Sequence, residues 1–353
     1  MFMVLCVLCA LVSCSTSPRG FIDDDGNEIL MGAFDDEELE LFEQLNSPVD
    51  GAQLPFSAFG EIWAYVVSGN ENALKSRLPL SDVVYFGAEV SSYGHLENVP
   101  KRTKLKQFAG KVHMSIACNS AGLTHFVIEP ESKARRILID EILTAVKPYD
   151  GLNIDMELVP LQDAEVFLQF LAELRSRIGY DKLFSVCVPA RTKASKNYDY
   201  EKIAFLSDRV FVMAYDEHWS TSAPGPVASM VWCKNVAQYA MRTIGAKKLV
   251  MGVPFYGRAW GDTSTSRALI NATTERLKKE HGVEQIRRVN GVPSFSYDVK
   301  VKVTVYYEDE FSIATRIDMY NKQGVQAVGF WRLGQEPNAF WSLLSLNRQL
   351  AGR

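Results

Sequence analysis

The sequence predicts an α/β chain folded as a (β/α)₈ TIM barrel, and three observations lead there. From Glu61 onward, short apolar strand-like runs alternate with amphipathic helical stretches, giving eight strands over about 290 residues. The fourth run carries polar side chains on one face of an otherwise apolar strand. Several other runs end in aromatic and polar residues, as the mouth of a barrel would. A doubly wound sheet is the alternative that the same alternation allows.

The chain of 353 residues opens with an apolar run, residues 1–13, too short to span a bilayer and followed at once by polar residues. That is the core of an export signal without the usual basic start. Leu11-Val12-Ser13-Cys14 resembles the lipobox of bacterial lipoproteins, which implies lipidation of Cys14 and a signal covering residues 1–14. Residues 15–57 read as an acidic, largely disordered tether. No second long hydrophobic run follows, so the lipid would be the membrane attachment.

Charge separates the same two parts. Residues 1–50 hold eleven acids and one base, Arg19, a balance of −10 against −4 for the whole chain, which leaves +6 on the remaining 303 residues. A mildly basic body suits an anionic polymer or surface. No Lys/Arg cluster interleaves with aromatics, which argues against nucleic acid. Of the six cysteines, Cys118, Cys187 and Cys233 lie in the body. Their spacing suggests neither a disulfide framework nor a metal site, so buried free thiols are expected. The five histidines form no catalytic or metal constellation, and His113 reads as a core residue. No cofactor is called for, and a monomer is expected.

The strands are read at Ile62–Val67, Val83–Phe86, Val112–Ala117, Gly151–Met156, Phe184–Val188, Val210–Ala214, Leu249–Pro254 and Ala327–Trp331. Helical patterns occupy Glu131–Val146, Ala164–Ile178, Val231–Ile244 and Glu308–Lys322. Residues 257–326 interrupt the rhythm with β-like runs at Pro293–Tyr297 and Val301–Tyr307, and read as a small α+β insertion on the rim between strands seven and eight. Residues 58–353 thus form one barrel domain.

Chemistry concentrates on the fourth strand. Side chains two apart share a face, so Asn153, Asp155 and Glu157 project together while Leu152, Ile154 and Met156 face the other way. Asp150 has the opposite parity and should brace the strand start. Two carboxylates roughly 7 Å apart form an acid–base device. The other strand ends add Tyr65 on the first strand, Met213, Tyr215, Asp216 and Trp219 after the sixth, Tyr256 and Arg258 after the seventh, and Trp331 on the eighth. Flat rings beside carboxylates suit a sugar-binding cleft.

The stretch DGLNIDME resembles the DGxDxDxE signature of the family 18 glycoside hydrolases, the chitinase-like barrels, and especially their spore-cortex-lytic peptidoglycan N-acetylglucosaminidase branch. MAYDEHW with the following APGP, the YGR after strand seven and FWRLG on strand eight carry the same likeness, which runs from about Ile62 to Leu344. The resemblance implies hydrolysis of an N-acetylglucosamine-containing polysaccharide in which the substrate's own acetamido oxygen is the nucleophile. It implies Glu157 as general acid and then base, Asp155 as the group that holds the acetamido N–H, and Tyr215 as the partner of the acetamido oxygen. Trp331 would floor the sugar site, with Met213 and Asp216 lining it. Asn153 stands where the fuller signature has a third carboxylate, and an amide there could donate a hydrogen bond to Asp155. Burial and a charged Asp155 are expected to keep Glu157 protonated.

Overall fold

The computed structural model describes residues 53–261, 266–299 and 301–351, together with 20–22, 28–30 and residue 46. The chain divides into two units, 1–48 and 49–353. In the first, Gly20–Ile22 pairs antiparallel with Glu28–Leu30. The signal segment, Cys14 and most of the acidic tether lie outside the described residues.

In the second unit, eight parallel strands close into a barrel: β1 (Glu61–Val67), β2 (Asp82–Val90), β3 (Lys111–Cys118), β4 (Gly151–Met156), β5 (Leu183–Pro189), β6 (Arg209–Met213), β7 (Leu249–Pro254) and β8 (Ala327–Trp331). Each pairs with the next, and β8 returns to β1. The barrel predicted from alternation is therefore present, and a doubly wound sheet is not. Strand limits agree with the sequence reading to within a residue or two, except that β2 runs on to Val90 and bends through a bulge near Tyr85 and Ala88.

Helices Lys133–Ala145, Ala164–Ile178, Met230–Thr243 and Glu310–Lys322 cover the outside. Their ends follow capping chemistry. Ser132 accepts a hydrogen bond from the Ala134 N–H, and Asp309 and Ser312 form a reciprocal capping box. Arg175 and Arg177 sit in the last turn of their helix, where the dipole favours cations. The crossovers from β1 to β2 and from β2 to β3 carry no α-helix: the first holds the 3₁₀ turn Glu71–Ala73, and the second holds a short strand, Leu96–Glu97, antiparallel to the end of β2, and the 3₁₀ turn Arg102–Leu105. Two short helices, Ala121–Ile128 and Tyr200–Leu206, are too brief to show a period in the sequence.

Between β7 and β8 the inserted segment folds as a five-stranded antiparallel sheet ordered Ser266–Leu269, Gly257–Trp260, Lys302–Tyr306, Val292–Asp298, Arg287–Val289, with helix Asn271–Glu280 beside it. Its last strand ends at Tyr306. The rest of the interval supplies the outer helix Glu310–Lys322, whose Ile313, Ile317 and Tyr320 join the main core.

Strand parity sorts the core into two parts. Leu152, Ile154 and Met156 face outward into the large cluster beneath the helices. The lumen holds Trp63, Tyr65, Val84, Cys187, Phe211, Met213, Val250 and Ala327. Phe211 fills this space because its neighbours yield it: a Cβ on Gly329 would stand 2.2 Å from its ring, and one on Gly252 would stand 2.9 Å away. At the lower end, Gly151 makes room for His113, whose ring stacks on Trp63 at 4.6 Å and whose Nε2 meets Asp82 Oδ1 at 2.8 Å. Asp150 braces β4 from the other face, its Oδ2 accepting from the Val112 N–H at 2.8 Å and from Arg102 at 3.4 Å. Among the described residues, no helix is long and apolar enough to cross a membrane.

Candidate active site

All strands run the same way, so the segments after each strand gather at one end of the barrel. β4 delivers three side chains to that end in rising layers. Asn153 is fully buried, Asp155 is 4% exposed, and Glu157, one residue past the strand, opens to solvent.

The lowest layer is a closed polar floor. Asn153 is in register with Ser115 on β3 and Ser185 on β5. Its Oδ1 accepts from the Ser115 hydroxyl at 2.9 Å and the Tyr65 hydroxyl at 3.2 Å, while its Nδ2 donates to Ser185 Oγ at 3.0 Å and Cys187 Sγ at 3.4 Å. Tyr65 also meets the Cys187 sulfur at 3.0 Å. Both amide hydrogens are thus engaged by β5. The hydrogen bond expected from Asn153 to Asp155 is not made, because Asp155 lies one layer higher and the amide is turned across to the neighbouring strand. Tyr65, which is 1% exposed, and Asn153 consequently lie beneath the cleft. The sugar contact expected of them gives way to support of the layer above.

Asp155 sits on this floor with Oδ1 buried and without a hydrogen-bond partner. Burial first and the Glu157 charge second push its carboxyl up to about 7, against a small opposing effect of the Cys187 thiol. Glu157 is open to solvent yet stands between the cleft walls. That crowding, followed by the Asp216 carboxylate, raises its carboxyl above the ordinary range. The raised value was expected; the Asp216 carboxylate adds a like charge that was not, and the repulsion between Asp155 and Glu157 bears on both members of the pair. Burial and like charge raise both carboxyls, which favours retention of a proton by the pair, as general-acid chemistry requires.

The walls are aromatic. Trp331, on the last residue of β8, meets Tyr65 and Phe86 edge-on, each with ring centroids 5.1 Å away. Tyr215 follows β6. Burial and the fields of Cys187 and Asp155 hold its phenol well above the usual range, so it stays an O–H donor. Met213 lies beside it in the lumen cluster. Asp216 takes a left-handed backbone, φ +59°, a conformation that Asp adopts more readily than most non-glycine residues. Its Oδ1 accepts from the Tyr256 hydroxyl at 2.7 Å and from Arg258 at 3.3 Å, and these bonds pin it to the first inserted strand. Arg258 is tied in turn to Ser266 at 3.1 Å. Trp219 is 52% exposed on the loop after β6, its indole N–H donating to Thr221 at 3.0 Å.

Of the predicted residues, Tyr65 and Asn153 belong to the floor. Asp155, Glu157, Tyr215, Asp216, Met213 and Trp331 cluster at the mouth. Arg258 acts through Asp216, and Trp219 stands out on its loop. Sequence reasoning missed the floor partners Ser115, Ser185 and Cys187. Each is an ordinary small residue at an inward position, and register alone marks them. Cys118, Cys187 and Cys233 are buried free thiols, as expected.

A model of the glycosyl hydrolases family 18 matches residues 61–336. The uncharacterized glycosylase YvbX of Bacillus subtilis is 33% identical over 226 residues, covering 60% of this chain and 65% of YvbX, so the chain spans just under two thirds of that relative. The cortical fragment-lytic enzyme of Bacillus anthracis is 24% identical over 302 residues, covering 78% of this chain and 70% of the relative. The crystal structure of the Bacillus cereus spore cortex-lytic enzyme SleL superposes with a TM-score of 0.73 at 20% identity, covering 89% of this chain and 81% of SleL. The chain belongs to the glycosyl hydrolases of family 18.

Proposed function

We propose that this protein hydrolyses β-linked N-acetylglucosamine bonds, most naturally in peptidoglycan, with retention of anomeric configuration. The observation that carries the reading is the stacked pair on β4: a protonatable Glu157 at the open mouth above a buried Asp155 whose Oδ1 has no protein partner. Glu157 gives its proton to the glycosidic oxygen as that bond breaks. The acetamido oxygen of the same sugar attacks the anomeric carbon, Asp155 accepts the acetamido N–H, and Tyr215 donates its O–H to the acetamido oxygen. The Glu157 carboxylate then takes a proton from the water that opens the cyclic intermediate, returning both partners to their starting state. Trp331 supplies the flat apolar floor beneath the sugar.

Peptidoglycan is favoured over chitin by the names of the cortex-lytic relatives and by the +6 body. The leader supports export and attachment through a lipidated Cys14. A monomer that uses no cofactor completes the reading. A carbohydrate-binding lipoprotein on the same barrel is the rival, and the carboxyl of Glu157, open at the mouth above Asp155, weighs against it. Mass spectrometry of products from peptidoglycan and from chitin oligomers, with NMR of the first-formed anomer, tests the proposal. Release of the β-anomer by wild type, and not by Glu157→Gln, is the expected result. Inversion at the anomeric carbon would overturn the mechanism, and binding without release of reducing ends would leave the binder.

A further inference from the structure

Of the hydrogens on the floor beneath Asp155, all but one have a fixed acceptor. Asn153 Oδ1 accepts from the Ser115 and Tyr65 hydroxyls, which fill both of its lone pairs. The two amide hydrogens of Asn153 go to Ser185 Oγ and Cys187 Sγ. Ser185 passes its own hydrogen to the Leu152 carbonyl at 3.4 Å. The hydrogen left over is the S–H of Cys187, a side chain that is 1% exposed. Asn153 Oδ1 lies 3.5 Å from the sulfur but is already filled. Among the described residues, the acceptors that remain for it are the Tyr65 hydroxyl oxygen, 3.0 Å away, and the carboxyl of Asp155.

Strand register brings that carboxyl to the thiol. Asn153 stands opposite Ser185 and Ile154 opposite Val186, so the next step along both strands sets Asp155 opposite Cys187. Neighbouring strands lie about 4.8 Å apart, and both side chains point into the lumen. On its other flank Asp155 stands opposite Ala117 of β3, whose side chain has no hydrogen to give. Asp155 Oδ1 is buried and has no hydrogen-bond partner. Cys187 favours the ionised form of Asp155, as a donor beside it does. The other groups that face Asp155 are Tyr65 from β1, Tyr198 after β5 and Tyr215 after β6. Burial above all holds these phenols over their ordinary range, and they stay neutral. Glu157 is the remaining titratable neighbour, with Asp216 acting on it in turn. The thiol keeps its hydrogen, because burial first and the Asp155 charge second hold it far above its usual range.

We propose that Cys187 is a positioning residue of this site: its S–H rests on the Tyr65 oxygen while Asp155 is protonated, and turns to Asp155 when that carboxyl ionises. The switch rests on the glycosidase reading, in which the ionised Asp155 accepts the acetamido N–H. No proton passes between the two groups, and the thiol only rotates about its Cβ–Sγ bond. An S–H is a weak donor, so it steadies the carboxylate from below without cancelling the effect of burial. A hydroxyl in its place would hold the ionised form more firmly, and a methyl would not hold it at all.

Cys187→Ser and Cys187→Ala bracket the effect. In the full-length protein and each variant, the Asp155 carboxyl carbon is followed by chemical-shift titration, its signal identified by its absence from Asp155→Asn. Cys187→Ser should lower the midpoint by about half a pH unit, and Cys187→Ala should raise it by about as much. The alkaline limb of kcat/KM should move in the same sense in each. A side chain that merely fills space would shift both variants alike or neither, and either result overturns the switch. In wild type the infrared S–H band of Cys187, assigned by its absence from Cys187→Ser, should fall in frequency as Asp155 ionises. A band that stays fixed through the titration overturns the switch even where Cys187→Ala fails to fold. Neither the carbon titration nor the band needs turnover. Opposite shifts in a protein that releases no reducing ends would therefore uphold the thiol switch and overturn the glycosidase reading alone.

Discussion

Replacing Asp155 by Asn should stabilise the protein at neutral pH while disabling the cleft. Burial and Glu157 raise the Asp155 carboxyl from 3.8 to about 7. In the unfolded chain the same group titrates near 3.9. The folded protein therefore binds the proton more tightly, and stability must fall as pH rises, beginning near pH 4 and levelling off above pH 7. Three pH units at 1.36 kcal/mol each give a penalty of about 4 kcal/mol at pH 8, shared with the neighbouring Glu157 because the two titrate as a pair. An Asn side chain of the same shape carries no charge and escapes this penalty. Urea unfolding of wild type and Asp155→Asn at pH 4, 5.5, 7 and 8 measures it directly. The difference in stability should grow with pH in favour of the variant and then level off. Glu157→Gln should recover only the smaller share, since burial is the first cause of the shift and the Glu157 charge the second. A stability difference independent of pH would refute the argument, because it would mean that Asp155 is ionised in the folded protein at no cost.

Three further outcomes follow from the same geometry. Glu157→Gln should lower kcat by about 10²–10⁴, the usual contribution of a general acid–base group, with ligand affinity nearly intact by calorimetry. In wild type, kcat/KM should decline on the alkaline side as the Asp155–Glu157 pair loses its shared proton above about pH 7, and a flat profile between pH 4 and 8 would contradict the assignment. Phe211→Ala should cost about 3–5 kcal/mol in denaturant unfolding, because the glycines at 252 and 329 leave nothing to fill the space its ring vacates.

The barrel is legible in the sequence because its two periods are local. Strand alternation and helical spacing can be counted within a dozen residues, and they place β4, β7, β8 and helix Ala164–Ile178 at their observed limits. Where a crossover carries no α-helix, as from β1 to β2, the same counting has nothing to register. Likewise, the apolar pattern at 310–322 cannot tell a helix of the insertion from one of the barrel. That distinction lies in Ile313, Ile317 and Tyr320 meeting the main core.

The site divides along the same line. Asn153, Asp155 and Glu157 share a face by parity alone, and so could be found together. What each then touches depends on strands far off in the chain: Tyr65 lies 88 residues from Asn153, Ser115 lies 38 and Ser185 lies 32. Register across a closed barrel decides those contacts, and it decides them in a way that changes the chemistry assigned to Asn153. An amide with both hydrogens committed to β5 has none left to stabilise a charge on Asp155. The floor therefore favours the protonated acid, and the carboxylate at 155 becomes worthwhile only when a substrate N–H arrives to share it. On this argument Asn153→Asp should weaken the floor and raise the Asp155 carboxyl further. Two unit charges 7 Å apart at an effective dielectric of 20 repel by about 2.4 kcal/mol, an upward shift of roughly 1.7 pH units. Chemical-shift titration of the Asp155 carboxyl carbon would record it, and a downward shift would show that the new acid is a hydrogen-bond donor to Asp155 rather than a neighbouring charge.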